Sequence, residues 1–255
     1  MKLEMFDELD STNDEAKRRV QKALEAGDDL KRLYGSILIA RKQTGGRGRR
    51  GRGFFSPGGD SLYISFILQP YADPNLNILT TTAAAVAVCR AARAAAPGAD
   101  PRVKWVNDVF LNERKVCGIL TEGGSNPNGQ GLAALVLGVG VNIGLREEDF
   151  PPELQSTAGS FSFDDKQRDR FVSTLIENVF SITDSMGEEG GKAALIDEYR
   201  ALSFLEPGQK VTVYPLAEQS EGSPAEVVGI DDNGGLEVRY EDGRVESLRN
   251  GEISL

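Results

Sequence analysis

The hydrophobic positions along the chain predict alternating helices and strands up to about residue 205. Helix-like runs cover approximately residues 14–26, 76–96, 167–186 and 192–202, and strand-like runs cover residues 36–40, 61–68, 102–106, 115–122 and 132–143. The last of these strands is apolar almost throughout, which is typical of a strand covered on both faces. The pattern therefore predicts an α/β unit with a sizeable core.

After Pro207-Gly208 the pattern changes to short alternating segments, at residues 210–214, 225–230, 236–240 and 245–248. Turn sequences rich in Gly, Asn and Asp separate them. Closely spaced short strands of this kind predict a small β-barrel. We therefore expect two domains, residues 1–205 and residues 206–255.

The first predicted helix is preceded by Ser11-Thr12-Asn13, which supplies an N-cap. Glu15 follows Thr12 by three residues and completes a capping-box pattern. Taken alone, these residues are adequately explained as a helix cap.

Composition excludes several classes of function. The 255 residues carry a formal charge of −10 and include no histidine and only two cysteines. A Ser-His-Asp triad, a Cys-His dyad and the usual zinc sites are therefore excluded. The acidic balance argues against bulk nucleic-acid binding. No run approaches the ~20 apolar residues of a membrane span, and the N-terminus lacks the order of a signal peptide. We expect a cytoplasmic protein that binds neither membranes nor nucleic acids.

The basic segment 41–52, called the arginine loop below, contains six cations, four glycines and no acidic residue. Glycine lets backbone N–H groups approach an oxygen closely, and arginine adds forked, charge-assisted donors. On an acidic protein such a loop indicates a small anionic ligand with phosphate or carboxylate groups. The alternatives are a disordered basic loop and an RNA-contacting Arg/Gly segment.

Two further segments are candidate ligand sites. Lys104 lies where a predicted strand meets a turn, in the sequence Lys-Trp-Val-Asn-Asp, and could equally be a surface lysine beside a hairpin. In the segment 138–144, glycines within a buried strand permit close approach of a ligand or another backbone. Asn142, near its end, offers a donor and an acceptor that suit a nucleobase edge, or it closes a turn.

The order of these motifs resembles that of the biotin protein ligases. The resemblance rests on Ser-Thr-Asn at 11–13, Gln-Thr-Gly-Gly-Arg-Gly-Arg-Arg-Gly-Arg at 43–52, the Lys104 segment, Lys-Val-Cys-Gly-Ile-Leu at 115–120, the glycine-rich strand and residues 250–255. It implies an α+β catalytic domain similar to class II synthetases, with a mixed, largely antiparallel sheet flanked by helices, and a C-terminal SH3-like β-barrel. It also implies a two-step reaction through biotinyl-5′-adenylate.

The resemblance assigns roles to individual residues. Lys104 and Arg49 are expected to be catalytic, with Lys104 at the reacting carboxylate. Biotin is expected to contact Ser11, Thr12, Asn13, Gln43, Gly46, Arg47, Gly48, Arg49, Lys104 and Gly118. The nucleotide is expected to contact Arg49, Arg50, Arg52, Trp105, Asn107 and Asn142. Val106 departs from the proline usual in the family.

The implied ligands are biotin, ATP and Mg²⁺, with a biotin carboxyl carrier protein as acceptor and no stably bound prosthetic group. A homodimer is left open, as are the metal ligands. Since the first motif begins at residue 11, no winged-helix repressor domain is expected. We also expect the six cations to keep the arginine loop mobile until an anion binds. A lipoate–protein ligase is the alternative enzyme, distinguished by apolar rather than polar walls around the acyl group.

Overall fold

The computed structural model of the protein describes residues 2–126, 131–214 and 222–254. Its larger sheet has seven strands in the order β1-β2-β3-β7-β6-β5-β4; β1 and β2 are parallel and the other neighbouring pairs are antiparallel. The strands are β1 Lys2–Phe6, β2 Ser36–Ala40, β3 Leu62–Leu68, β4 Arg102–Lys104, β5 Asp108–Leu111, β6 Arg114–Ser125 and β7 Leu132–Val141.

Helices cover both faces of this sheet: α1 Thr12–Ala26 lies on one face, and α2 Pro74–Ala95, α3 Asp165–Ser185 and α4 Gly191–Ala201 lie on the other. Side chains of the central strands alternate between the two layers, so that Leu38 packs beneath α1 while Ile37 packs beneath α2. Every residue of β2 and β3 is buried. The predicted mixed, largely antiparallel sheet flanked by helices is confirmed.

The helix α2 forms the centre of the larger core. Its length and apolar composition would also suit a membrane span, but 72% of that apolar stretch is buried within the protein. Alanine supplies most of the buried surface, and its small side chain lets the helix lie close to the sheet and to α3. Burial of this extent is typical of the core helix of a globular domain.

The C-terminal part forms a separate five-stranded antiparallel sheet in the order β11-β10-β9-β8-β12. Its strands are β8 Lys210–Tyr214, β9 Ser223–Ile230, β10 Leu236–Tyr240, β11 Val245–Leu248 and β12 Glu252–Ser254. The predicted boundary at residues 205 and 206 falls between α4 and β8. Closure of this sheet into an SH3-like barrel stays a prediction.

Several elements differ from the sequence-based expectation. The strands β1, β5 and β12 were not predicted, and α1 begins at Thr12 rather than at residue 14. Ser11 is the N-cap, and its hydroxyl accepts a hydrogen bond from Asp14 N. The predicted capping box, with Thr12 as N-cap and Glu15 as its partner, is therefore wrong. Leu255, the last residue of the C-terminal motif, lies outside the described residues.

One turn of the C-terminal sheet packs against the larger domain. Gly234, at φ +77°, lies against Leu79 and Ile196, where a side chain would collide. Its carbonyl accepts a hydrogen bond from Trp105 Nε1 at 3.0 Å. Arg200 reinforces the contact through an ion pair with Asp232 at 2.6 Å. The C-terminal sheet is thus fixed against the segment that carries Lys104 and Trp105.

Replacing Trp105 with Phe removes this donor and leaves the buried Gly234 carbonyl without its partner. We expect the free energy of unfolding to fall by about 1–3 kcal/mol. Trp105 is the only tryptophan, so urea unfolding of the variant should be followed by circular dichroism rather than by fluorescence. A loss below about 0.5 kcal/mol, within the range of ordinary surface substitutions, would contradict this role of the indole.

Candidate active site

A cavity of about 190 Å³ lies where α1 begins, beneath the arginine loop. Residues 118–120 of β6 and 138–140 of β7 line it, together with residues 251–253 of the C-terminal domain. All predicted site residues except Gly46 and Asn142 line it: Ser11, Thr12, Asn13, Gln43, Arg47, Gly48, Arg49, Arg50, Arg52, Lys104, Trp105, Asn107 and Gly118. Motifs that are more than 100 residues apart in the sequence therefore meet at one site.

One end of the cavity is a polar wall built on Gln43. Its Oε1 accepts hydrogen bonds from the backbone N–H of Thr12 at 2.7 Å and from the Thr12 hydroxyl at 3.1 Å. Its Nε2 donates to Ser56 Oγ at 3.1 Å. The hydroxyl of Ser65, a fully buried residue of β3, lies 2.7 Å from Thr12 Oγ1. These contacts hold several hydrogen-bonding groups at fixed positions beside the cavity.

Asn13 extends this wall, but its amide is largely occupied within the protein. Its Oδ1 accepts a hydrogen bond from Ser65 Oγ at 2.7 Å, and its Nδ2 donates to Glu122 Oε2 at 2.9 Å and to Leu120 O at 3.3 Å. Its side chain lies directly over Gly138, where any Cβ would collide with it. The predicted biotin contact of Asn13 therefore competes with existing partners.

The glycines of β6 and β7 form a platform for an aromatic ring. A Cβ on Gly140 would lie 2.6 Å from the ring of Phe54, and a Cβ on Gly118 would lie 2.9 Å from it. The glycines of the segment 138–144 are expected to permit close approach of a ligand or another backbone. Side chains of the protein lie over Gly138 and Gly140, which also line the first cavity, so their contact with a ligand stays a prediction. Gly46, whose Cβ would lie 2.5 Å from Phe54 O, is a packing residue outside the cavity wall.

A second cavity of about 190 Å³ lies on the other side of Phe54 and is mainly apolar. Asn142 lines this cavity rather than the first, and its Nδ2 donates to Gly159 O at 2.8 Å. Three residues line both cavities, namely Gly53, Phe54 and Lys115. The remaining walls were missed by sequence analysis: Phe55, Phe110, Phe150, Leu154, Thr157 and Ala158.

Lys115 is the charged group at the junction of the two cavities, and sequence analysis assigned it no role. Its Nζ lies 2.7 Å from Asp108 Oδ1 across the β5–β6 pair. The predicted catalytic residue Lys104 lines only the first cavity, with its Nζ 5.5 Å from the ring centre of Phe110. Lys104 has no ion-pair partner in the described part of the chain.

The segment after Lys104 turns sharply towards the cavity. The Trp105–Val106 peptide bond is cis. Asn107 then donates from Nδ2 to Ile119 O at 2.9 Å and accepts from Arg49 Nη1 at 3.1 Å through Oδ1. Its position thus places Arg49 beside the cavity.

Most of the cations in the arginine loop are paired without a ligand. Arg47 Nε lies 2.6 Å from Asp14, and Arg52 donates two hydrogen bonds to Glu252, at 2.8 and 2.7 Å. Arg50 lies 3.6 Å from the same carboxylate. The hydrogen bond that Arg47 donates to Asp14 raises the pKa of Arg47, and the hydrogen bonds that Arg52 donates to Glu252 lower the pKa of Glu252. The expected mutual repulsion of the cations is therefore offset by carboxylates of the protein.

A sequence profile of the biotin/lipoate A/B protein ligase family matches residues 10–142, just over half of the chain. The chain belongs to this family. The matched region includes the arginine loop, both lysines and the glycine platform, and thus most of the first cavity's lining, whereas residues 251–253 and part of the second cavity's wall lie outside it.

Individual relatives in the biotin/lipoate ligase family agree with this assignment. The bifunctional ligase/repressor BirA of Bacillus spizizenii is 38% identical over 50% of this chain, a match that spans 38% of that protein's length. The Escherichia coli protein of the same name is 29% identical over 97% of this chain and 72% of its own length. The chain thus matches little more than a third of the Bacillus relative.

The solved structures extend the likeness over the whole fold. The biotin protein ligase from Aquifex aeolicus in complex with biotin and ATP is 25% identical, with a TM-score of 0.76 over 99% of this chain and 97% of its own. Both sheets are included in this coverage. The expected catalytic fold of a biotin protein ligase is confirmed.

The hydrogen bond from Ser65 to Asn13 provides a test of the polar wall. Replacing Ser65 with Ala removes the donor to the buried Oδ1 of Asn13, which should lower the free energy of unfolding by about 1–3 kcal/mol. Ser36→Ala is the matched control, because Ser36 is also a buried strand serine but forms no side-chain hydrogen bond in the described part of the chain. Equal losses in the two variants, measured by urea unfolding, would contradict the role of Ser65.

Proposed function

We propose that the chain is an ATP-dependent biotin protein ligase that forms biotinyl-5′-adenylate and transfers biotin to a lysine of a carrier protein. The observation that carries this proposal is the pair of cavities that meet at Lys115. One has a polar wall and a cationic side; the other is apolar and aromatic. Biotinyl-adenylate likewise has a polar end, the ureido ring of biotin, and an aromatic end, the adenine, with a phosphate between them.

In the first step, an oxygen of the biotin carboxylate attacks the α-phosphorus of ATP, and pyrophosphate leaves. The step brings two anions together, so fixed positive charge is the main assistance that a protein can provide. Lys115 lies at the junction where the carboxylate and the α-phosphate would meet. Lys104 and Arg49 add positive charge on the wall of the first cavity.

In the second step, the carrier's lysine amine attacks the acyl carbon and AMP leaves. The amine must lose a proton, and Asp108 is the carboxylate that lies at the junction, 2.7 Å from Lys115 Nζ. The mixed anhydride must also be shielded from water. The arginine loop, which lies across the cavity, supports that role.

The predicted Mg²⁺ would depend mainly on the nucleotide for its ligands. Within the described residues, no group of three or more acidic, His or Cys side chains could hold a metal ion. Mg²⁺ commonly binds through substrate phosphates with one or two carboxylates. Asp108 and Glu252 are the carboxylates that line the first cavity.

Biotin is favoured over lipoate because the wall of the first cavity around Gln43 is polar. The ureido ring of biotin has both donors and acceptors, which Thr12, Gln43 and Ser11 can match, whereas the dithiolane ring of lipoate needs apolar walls. RNA binding is disfavoured because Arg47, Arg50 and Arg52 already face carboxylates of the protein.

The substrate is tested by pyrophosphate release from ATP with biotin, lipoate and octanoate compared side by side. We expect biotin to be used in preference to both other acids, because only biotin satisfies the polar wall. Faster release with lipoate would replace this proposal with a lipoate ligase.

Whether the chain also represses transcription, as its bifunctional relatives are named to do, is tested separately by binding to the promoter of its host's biotin genes. The acidic charge predicts no such binding.

The roles of Lys115 and Lys104 can be distinguished by replacing each lysine with alanine. Lys115→Ala should lower the rate of adenylate formation by roughly 10²–10³-fold, the usual effect of losing one donor to the transition state. Lys104→Ala should have the smaller effect of about 10–150-fold, equivalent to one charge-assisted hydrogen bond of about 1.5–3 kcal/mol. ATP–pyrophosphate exchange measures both, with thermal unfolding to establish that each variant is folded. If Lys104→Ala lowers the rate of adenylate formation more than Lys115→Ala does, Lys104 is the lysine at the reacting carboxylate, as the family resemblance implies.

A further inference from the structure

The side-chain amide of Asn13 lies over the middle of a row of three residues that crosses the sheet. Gly138 of β7 is paired with Ser65 of β3 on one side and with Leu120 of β6 on the other. Because Gly138 has no side chain, the Asn13 amide reaches partners on both sides of it. Its Oδ1 lies 2.7 Å from Ser65 Oγ, and its Nδ2 lies 3.3 Å from Leu120 O. Asn13 and Ser65 are both buried, so their polar groups depend on partners within the protein.

Glu122 determines which way this amide points. Its Oε2 lies 2.9 Å from Asn13 Nδ2, and a carboxylate only accepts hydrogen bonds. Lys17, one helical turn after Asn13, holds the other oxygen, Oε1, at 2.7 Å. The carbonyl of Leu120 is also an acceptor. With two acceptors on this side, both N–H groups of the amide point towards β6, and its oxygen points towards Ser65.

The orientation of Asn13 commits the protons of two neighbouring hydroxyl groups. Ser65 has one hydroxyl proton, which must go to Asn13 Oδ1, because that oxygen has no proton of its own. The Thr12 hydroxyl lies 2.7 Å from Ser65 Oγ and 3.1 Å from Gln43 Oε1, and both of these atoms then accept from it. The proton of Thr12 therefore points into the protein, and its oxygen presents lone pairs to the cavity that Thr12 lines.

We propose that Glu122 and Lys17 are positioning residues that set the hydrogen-bonding polarity of the polar wall, so that the ligand group bound at Thr12 must be a donor. Neither of them lines the first cavity. A flipped amide would reverse the chain: Asn13 would donate to Ser65, Ser65 would donate to Thr12, and the proton of Thr12 would be available to the ligand. That the donor is a ureido N–H of biotin rests on the proposed function; the orientation of Asn13 does not.

Glu122→Gln is the variant that should reverse this chain. Lys17 also contacts Asp14 at 3.0 Å, so it stays beside residue 122 in the variant. An ammonium only donates hydrogen bonds, so Lys17 takes the single oxygen of the glutamine. The glutamine nitrogen then faces Asn13, which must turn its own oxygen towards it. Adding Lys17→Met frees the glutamine oxygen for Asn13 and should restore the original orientation.

The orientation is measured first without any ligand, by NMR of the full chain. In the wild type, the side-chain amide protons of Asn13 should show their strongest nuclear Overhauser effects to Glu122 Hγ. In Glu122→Gln the strongest effects should be to Ser65 Hβ, and in the double variant they should return to residue 122. An amide that keeps its wild-type orientation in Glu122→Gln would overturn the proposal. Because no biotin or ATP is present, this outcome is independent of whether the chain is a biotin ligase.

Glu4→Gln is the matched control. Glu4 is also a strand carboxylate that pairs with a cation of α1, Arg19, at 2.8 Å, and its side chain is 30% exposed, against 25% for Glu122. Its ion-pair partners in the described part of the chain, Arg19 and Lys2, do not line the first cavity. Neither the orientation of the Asn13 amide nor the KM for biotin should change in this variant.

The kinetics of ATP–pyrophosphate exchange then test the consequence for the ligand. We expect Glu122→Gln to raise the KM for biotin by about tenfold, the effect of one hydrogen bond, with kcat and the KM for ATP nearly unchanged. Lys17→Met should raise it by only about twofold, because the Glu122 carboxylate remains an acceptor. The double variant should return to within about threefold of the wild type. If its KM exceeds that of Glu122→Gln alone, the two losses are independent and the proposal is overturned.

The polarity itself is tested with biotin analogues in which a ring oxygen replaces one ureido N–H, made for each nitrogen in turn. The wild type should use one of the two analogues at least about 30-fold less well than biotin, because two acceptors would then face each other. Glu122→Gln should narrow this ratio by about threefold or more, since Thr12 can donate to the ring oxygen. An equal ratio in the two proteins would overturn the role in polarity. If biotin itself supports no exchange, the proposed function fails, while the NMR result on Asn13 stands.

Discussion

The site depends on three sheet positions that carry no side chain. The helix α1 covers only part of one face of the sheet: Gly138 lies beneath Asn13 in its first turn, and Gly118 and Gly140, which are paired across β6 and β7, lie beneath Phe54. Asn13 and Phe54 occupy the space that Cβ atoms would take. This arrangement places a polar group from α1 and the aromatic ring of Phe54, two residues after the arginine loop, directly on the sheet, and Phe54 lines both cavities.

Charge compensation follows from the same geometry. Because Phe54 packs on the glycine platform directly after the arginine loop, the loop ends close to the sheet, and its arginines lie near α1 and β12. Carboxylates at both places, Asp14 and Glu252, make that proximity favourable. Arg49, between them, contacts Asn107, and no carboxylate among the described residues pairs with it. Of the six cations of the loop, Arg49 is therefore the one that faces the cavity without a counter-ion in the described part of the chain.

The sequence predicted the layers of the fold well because its central strands and helices have long, consistent apolar patterns. It failed at β1, where the edge position leaves Leu3 and Met5 exposed, and at β5, which follows an abrupt turn. The resemblance assigned roles to half of the residues that line the first cavity. Lys115 stands in one of the quoted motifs but was given no role, because its ion pair with Asp108 across the strands is not visible in the sequence. The aromatic second cavity was missed, because apolar residues from distant loops leave no local signal.

The C-terminal sheet takes part in the site through contacts that neither domain could make alone. The turn at Gly234 fixes Trp105, and β12 supplies the counter-ion of Arg52. These contacts lie on two sides of the segment that carries Lys104. Glu252 itself lies in the wall of the first cavity, where an unpaired carboxylate would repel a phosphate. Because Arg50 and Arg52 lie against this carboxylate, an acidic module can border a site for anions.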